Sequence, residues 1–374
     1  MRNTLRRLTL GLSLVVLVSS LLLISDWSQR PRAAGRTPRV AILQYASDPV
    51  LDDGIEGMIE AMAAQGFLEG RGVAIRRYNA QGDGGNLNAI AREMANGRYD
   101  LLLTVTTPVL QAVANANREG RTPHVFGLVT DPFAAGVGLD RNQPLAHPAH
   151  LVGLGSFEPV ASNLRFAKKL FPALKVVGVV WNPAEANSQA CMVKARAICR
   201  DLGVELLEAN ADNSAGVLEA SESLVARGAQ ALWVAGDNTA NIALEAILLS
   251  GRKGRIPVFT TNVGSAARGA LFDLGPDYRQ VGRLVGELAA AVLRGADTRA
   301  IPIRDVVPEQ VMINPLALKN LKDPWVVAAE TLAQVQLIVD ATGVHRNTPV
   351  SRPSHAGTPA QVNEDETHPV DRAR

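Results

Sequence analysis

One stretch constrains the fold of this chain more than any other: VVGVVWNPAEANS, residues 176–188. An apolar run rich in β-branched residues, the composition strands favour, stops at Trp181-Asn182-Pro183, and a helical pattern starts near Ala186-Asn187. It reads as a strand feeding a helix through a short polar turn. The unit recurs. Strands are expected over residues 40–45, 73–78, 101–106 and 125–129, alternating with helices over 55–65, 87–95 and 110–117. After a break rich in proline and histidine over 138–150, helices over 160–171, 188–202, 217–226 and 240–249 alternate with strands at 176–181, 204–209, 231–234 and 257–260. Short alternating units of this kind imply parallel sheets covered by helices on both faces. The fold class is α/β, with two similar lobes joined near 150–158.

In open parallel sheets, ligands bind outside the carboxyl ends of the strands. Here those ends are polar: Gln44-Tyr45, Thr106-Thr107, Thr130-Asp131, the group Asn182, Glu185, Asn187 and Ser188, then Asp237-Asn238-Thr239 and Thr260-Thr261-Asn262. Hydroxyls, amides and carboxylates from both lobes would face one cleft and hold a small polar molecule. If that molecule is zwitterionic, Asp131, Glu185 and Asp237 are candidate partners for its ammonium. Helix N-termini bearing Thr or Ser would suit its carboxylate. Asp131 and Asp237 are equally suited to cap the helices that follow them.

A chain of 374 residues is long enough for two buried cores. Its net charge of +2, with both signs interspersed, shows no nucleic-acid footprint. Cys191 and Cys199 lie eight residues apart on one expected helix, about 12 Å along its axis, which is too far for a disulfide; they read as buried thiols. No nucleophile elbow, Walker loop or zinc-type histidine spacing occurs. The glycine-rich Gly82-Asp83-Gly84-Gly85 lacks a following Lys-Ser/Thr and reads as a turn. Neither catalysis nor a cofactor nor a metal is expected.

The ends of the chain differ from its middle. Arg2, Arg6 and Arg7 precede a 17-residue apolar run over 8–24, an export signal. Its length favours an uncleaved signal anchor over a peptide cleaved near Ala33-Ala34-Gly35, with residues 1–37 serving as anchor and tether. A long helix over 278–293 should return to the first lobe. The division is then 38–155 plus 277–305 for lobe 1, and 156–276 plus 306–322 for lobe 2. Residues 326–341 have Val327, Leu332, Val335 and Ile338 at helical spacing, so 323–343 reads as a further helix. From 344 to 374 the chain is rich in Pro, Thr and charge, and disorder is expected.

Several stretches together resemble the tryptophan/tyrosine-type substrate-binding proteins of ABC transporters, a branch of the type I periplasmic binding proteins. They are Leu51-Asp52, Gly66-Phe67-Leu68-Glu69-Gly70, Tyr78-Asn79-Ala80-Gln81-Gly82-Asp83, Val129-Thr130-Asp131-Pro132, Trp181 through Ser188, Gly236-Asp237-Asn238-Thr239 and Asp277-Tyr278. The resemblance spans roughly residues 38–322. It implies two Rossmann-like lobes of the Venus-flytrap type closing on an amino acid or related solute, with Thr107, Asp131, Glu185, Asn187, Ser188, Asp237 and Asn238 lining the cleft. It also implies a monomer outside the cytoplasm, delivering a small-molecule ligand to ABC permease subunits; attachment to the membrane is expected from the run over 8–24 and not from the resemblance. A ligand sensor and, from another class, a small-molecule enzyme on a doubly wound fold are the alternatives. Asp48-Pro49 stands where the family usually has His-Pro, and Asn262 where it usually has an acid; the expected membrane helix, the lack of a lipid-anchor cysteine after it and the long tail depart from the family as well.

Overall fold

The computed structural model describes residues 36–347. Two parallel-stranded sheets carry the chain. The first is built from β1 (Arg39–Gln44), β2 (Ala74–Asn79), β3 (Leu101–Val105), β4 (His124–Val129) and β5 (Leu151–Gly155). The second takes β6 (Val176–Trp181), β7 (Glu205–Asn210), β8 (Ala231–Val234), β9 (Val258–Thr260) and β10 (Phe272–Pro276). β11 (Arg304–Asp305) then joins the first sheet beside β5. β12 (Glu309–Ile313), β13 (Leu337–Asp340) and β14 (Gly343–Arg346) extend the second. The orders are β11-β5-β4-β3-β1-β2 and β14-β13-β12-β10-β9-β8-β6-β7. All pairs of the first sheet are parallel; in the second, β12 runs antiparallel to β10 and β14 to β13.

The order reverses between β1 and β3 in one sheet and between β6 and β8 in the other. These are the topological switch points at which a doubly wound sheet opens a crevice. Of the strands beside them, β3 and β8 are buried along their whole length and β1 and β6 at all but their end residues, as strands covered by helices on both faces must be.

The chain passes between the lobes after β5, after β10 and after β11. On the second passage the helix Tyr278–Leu293 lands on the helix Pro49–Ala64 of the first lobe, and Val281, Val285 and Ala289 join that lobe's core. The two helices touch backbone to backbone. A Cβ on Gly282 would overlap the Gly54 carbonyl oxygen, and one on Gly286 that of Met58. Arg279, at the start of the crossing helix, pairs with Asp53, Glu56 and Glu60.

Three expectations need correction. Residues 326–341 form a four-residue helix, Ala329–Leu332, followed by the strand β13. Asp340 accepts from Thr342 N at 2.7 Å and Gly343 has φ +130°, so a hairpin turn forms and β13 pairs with β12. Order accordingly continues past 344, through β14. The helix expected over 240–249 is two, Asn238–Ile242 and Leu244–Gly254, with Ala243 between them. Strands β5 and β10 were unexpected. The apolar run over 8–24 and the tail from 348 lie outside the described residues. Among the described residues no helix is long and apolar enough to cross a membrane.

Candidate functional site

The strand ends of the second lobe form one polar network. Glu185, which precedes the helix Ala186–Asp201, reaches the start of the helix Asn238–Ile242. Its Oε1 accepts from Thr239 N (3.0 Å) and Thr239 Oγ1 (2.7 Å). Its Oε2 accepts from Asn238 N (2.9 Å), Asn238 Nδ2 (2.7 Å) and Asn187 Nδ2 (3.1 Å). Asp237 caps the same helix through Ala240 N and accepts from Asn182 N and Ser188 Oγ, both at 2.6 Å. Burial and then the charge of Glu185 push its carboxyl up to about 7, against the hydrogen bonds that favour ionisation. Asn182 completes the network by donating to Thr239 Oγ1. Asn182, Glu185, Asn187, Ser188, Asp237, Asn238 and Thr239 are therefore brought together, and much of their hydrogen-bonding capacity goes to joining β6 to β8.

In the first lobe, Gln44 donates to Asp52 and to the Ala46 carbonyl, so it serves its own lobe. Asp131 accepts from Phe133 N and Ala134 N and pairs with Arg141, which also holds Asp305. That is a local turn and ion pair. Thr106 is the unusual residue: it adopts φ +80°, a left-handed conformation that costs a residue with a Cβ about 1–3 kcal/mol and concentrates at functional sites.

Five buried polar atoms that follow strands find no partner within the protein. Thr106 Oγ1 and Thr107 Oγ1 follow β3, Ser156 Oγ follows β5, Asn187 Oδ1 lies in the first turn after β6, and Thr261 Oγ1 follows β9. Each such atom costs about 1–3 kcal/mol unless something else satisfies it. The unpaired indole nitrogens of Trp233 and Trp325, by contrast, sit within the apolar core of the second lobe.

The lobes meet across these ends. Ile242 lies against Gly82, and Val50 against Gly264. Between them is a cavity of about 30 Å³ lined by Tyr45, Asp48 and Leu51 on one side and by Asn238, Asn241 and Asn262 on the other. Burial, then the charges of Glu185 and Asp83, raise the Tyr45 hydroxyl above its ordinary range; it donates to the Gly82 carbonyl. A far larger groove, about 930 Å³, adjoins the cavity at Val50 and runs past Arg279 and Glu287 to Arg346. None of the five unpaired atoms lines either space; the smaller one is the better site because strand-end residues of both lobes, Tyr45 from one and Asn238 and Asn262 from the other, line it.

Two acids were not among the expected site residues. Asp48 is only 8% exposed and caps the helix Pro49–Ala64 through Val50 N; burial raises its carboxyl. The Asp-Pro pair was the available signal, since Asp caps and Pro opens helices. Glu158 sits where the chain first leaves lobe 1. It accepts from Thr130 Oγ1 at 3.0 Å and Tyr278 Oη at 3.2 Å, with the Cys191 thiol at 3.5 Å. Burial raises its carboxyl too. It ties both lobes to the crossing helix, and nothing in its local sequence marks it.

The family model for ABC transporter substrate binding proteins matches residues 39–333, most of the chain. The chain belongs to this family. ABC transporter substrate binding proteins are solute binders, so it is not an enzyme. It is 29% identical over 282 residues to a tyrosine-binding protein of Clostridioides difficile, a match covering 75% of this chain and 80% of that protein. Among solved structures it resembles a conserved domain protein from Vibrio cholerae, with TM-score 0.77 and 28% identity, over 81% of this chain and all of that one. The ABC domain in complex with L-Trp from Streptococcus pneumonia shares the fold at 20% identity and TM-score 0.76, over 81% and 100% of the two chains. A ligand-free, open substrate-binding protein with adhesive properties from Clostridium difficile gives 27% identity and TM-score 0.57, over 77% and 96%.

Proposed function

We propose that the protein binds an amino acid or a closely related small solute between its lobes and presents it to ABC permease subunits outside the cytoplasm. The observation that carries this reading is the set of five unpaired, buried polar atoms at strand ends of both lobes. A solute bridging the lobes would satisfy atoms that the protein leaves unpaired. Because it touches both lobes it would favour the closed arrangement by its differential affinity, which is how closure comes to signal occupancy. Thr106, Thr107 and Asn187 are the expected contacts in this reading, with Tyr45, Asn238 and Asn262 at the cleft edge. The tyrosine-binding relative and the L-Trp complex of a protein with the same fold support an amino acid as the class. Residues 8–24 would hold the binder at the membrane surface. Mass spectrometry of solute released by denaturing the purified protein tests the proposal. Release of an amino acid in near-stoichiometric amount is expected. Release of a sugar or nucleoside instead would refute the class.

A further inference from the structure

We infer that Asp48 is the anion that receives the positively charged group of the bound solute, so that the site selects amine-bearing ligands; this rests on the cleft being the solute site.

Acceptor supply and position together single out Asp48. An ionised carboxylate offers about four lone-pair sites. Glu185 already accepts five hydrogen bonds. Asp237 accepts three, two of them from backbone N–H groups. Asp131 is held by two backbone N–H groups and Arg141. By that count Glu185 is full, whereas Asp237 and Asp131 each keep a site; but neither of these two lines the interlobe cavity, and Asp131 already has a cation in Arg141. Asp48 accepts from Val50 N at 2.8 Å and is also held by Leu51 N, which leaves it capacity, and it lines the interlobe cavity while being 8% exposed.

The rest of the lining agrees. Asn238 spends its amide N–H on Glu185, and Asn241 spends its own on the Ala235 carbonyl. Those partners are acceptors, so the side-chain oxygens of Asn238 and Asn241 remain as acceptors themselves. The lining thus holds one carboxylate and two such amide oxygens but no Lys, Arg or His. The guanidinium whose charge acts on Asp48, that of Arg268, is bonded to Glu245 at 3.1 Å. A buried carboxylate without a cation is costly, and an ammonium ringed by acceptors supplies one. The cavity of about 30 Å³ is also of the right scale: a single water-sized group takes about 10–15 Å³ by the same measure. A compact charged head fits there, whereas an aromatic ring must lie elsewhere in the cleft.

Asp48→Asn and Asp48→Ser are the variants of choice, because Asn and Ser cap helices as Asp does and the fold should persist. The full chain, stripped of solute, is titrated calorimetrically with each of the twenty standard amino acids. The tightest binder is then compared with its analogue lacking the α-amino group. The wild type should bind the amino acid at least tenfold more tightly than the deaminated acid. Both variants should lose at least tenfold for the amino acid and little for the analogue. Equal affinity in wild type and variants would overturn the role of Asp48 while leaving the solute reading intact. Failure of the wild type to bind any amino acid would overturn both.

Discussion

Replacing Glu185 by Gln keeps the volume of the side chain and removes one acceptor oxygen, which separates a role in the fold from a role in binding. Glu185 is 8% exposed, so water cannot readily take over its bonds. Oε1 serves two donors of Thr239 and Oε2 serves three donors of Asn187 and Asn238. The least damaging placement puts the new amide nitrogen on the Thr239 side. The Thr239 hydroxyl can turn to accept, but its backbone N–H loses its partner. A buried donor left unpaired costs about 1–3 kcal/mol, and the surviving bonds lose their charge assistance. Relief of repulsion on Asp237 works the other way. It is the smaller effect, since burial is the leading cause of the raised Asp237 carboxyl and Glu185 the second. A net loss of about 2 kcal/mol or more follows, or a fall of roughly 4–8 °C in melting temperature for a lobe of ordinary domain size. Scanning calorimetry of the solute-free protein measures it. A melting temperature within 1 °C of wild type would refute the network as a structural joint and return Glu185 to the ligand.

Other consequences follow from the buried groups and helix contacts. Burial pushes the carboxyl of Asp273 up to about 7, and that of Asp237 likewise. Folded values above the unfolded value of about 3.9 mean the stabilising effect of protonation is full below that value and is lost as pH rises through the folded one. The solute-free protein should therefore melt higher at pH 5.5 than at pH 7.5; a profile that rises over this window contradicts the assignment. Gly282→Ala forces a methyl against the Gly54 carbonyl, and overpacking of this kind costs about 1–3 kcal/mol. Its effect should appear as a lower denaturant midpoint with an unchanged slope, and an unaltered midpoint would show that the two helices can separate freely.

The sequence revealed the fold where the chemistry of an element is local, and concealed it where partners come from afar. VVGVVW announces β6 because its side chains suit a strand buried on both faces. β10, FDLGP, announces nothing: it carries an acid, a glycine and a proline. Asp273 belongs there because it holds Gly264 N and Ala266 N from the preceding loop, and Gly275 because a Cβ would overlap the Thr261 carbonyl. The C-terminal hairpin was masked by apolar residues that happened to match helical spacing, until pairing with β12 decided the matter. At the site, the location of the polar groups was legible, because strand ends in such sheets converge by topology. Which atoms remain free was not, since that depends on hydrogen bonds across some 50 residues of sequence, such as those from Asn238 to Glu185. Asp48 was visible as a departure from a family pattern and, with Pro49, as a helix cap, but not as a group facing the other lobe.

The central claim, that unpaired strand-end groups of both lobes exist to hold a small solute, is tested most directly by the double variant Thr107→Val, Thr261→Val. Both hydroxyls are buried and unpaired, one in each lobe, and Val keeps the shape of Thr. Native mass spectrometry of wild type and variant, purified identically, reads the bound mass on each chain. The account predicts one small solute on the wild type, its loss from the variant, and a solute-free melting temperature in the variant no lower than in the wild type. A variant that retains the solute in full would contradict the account.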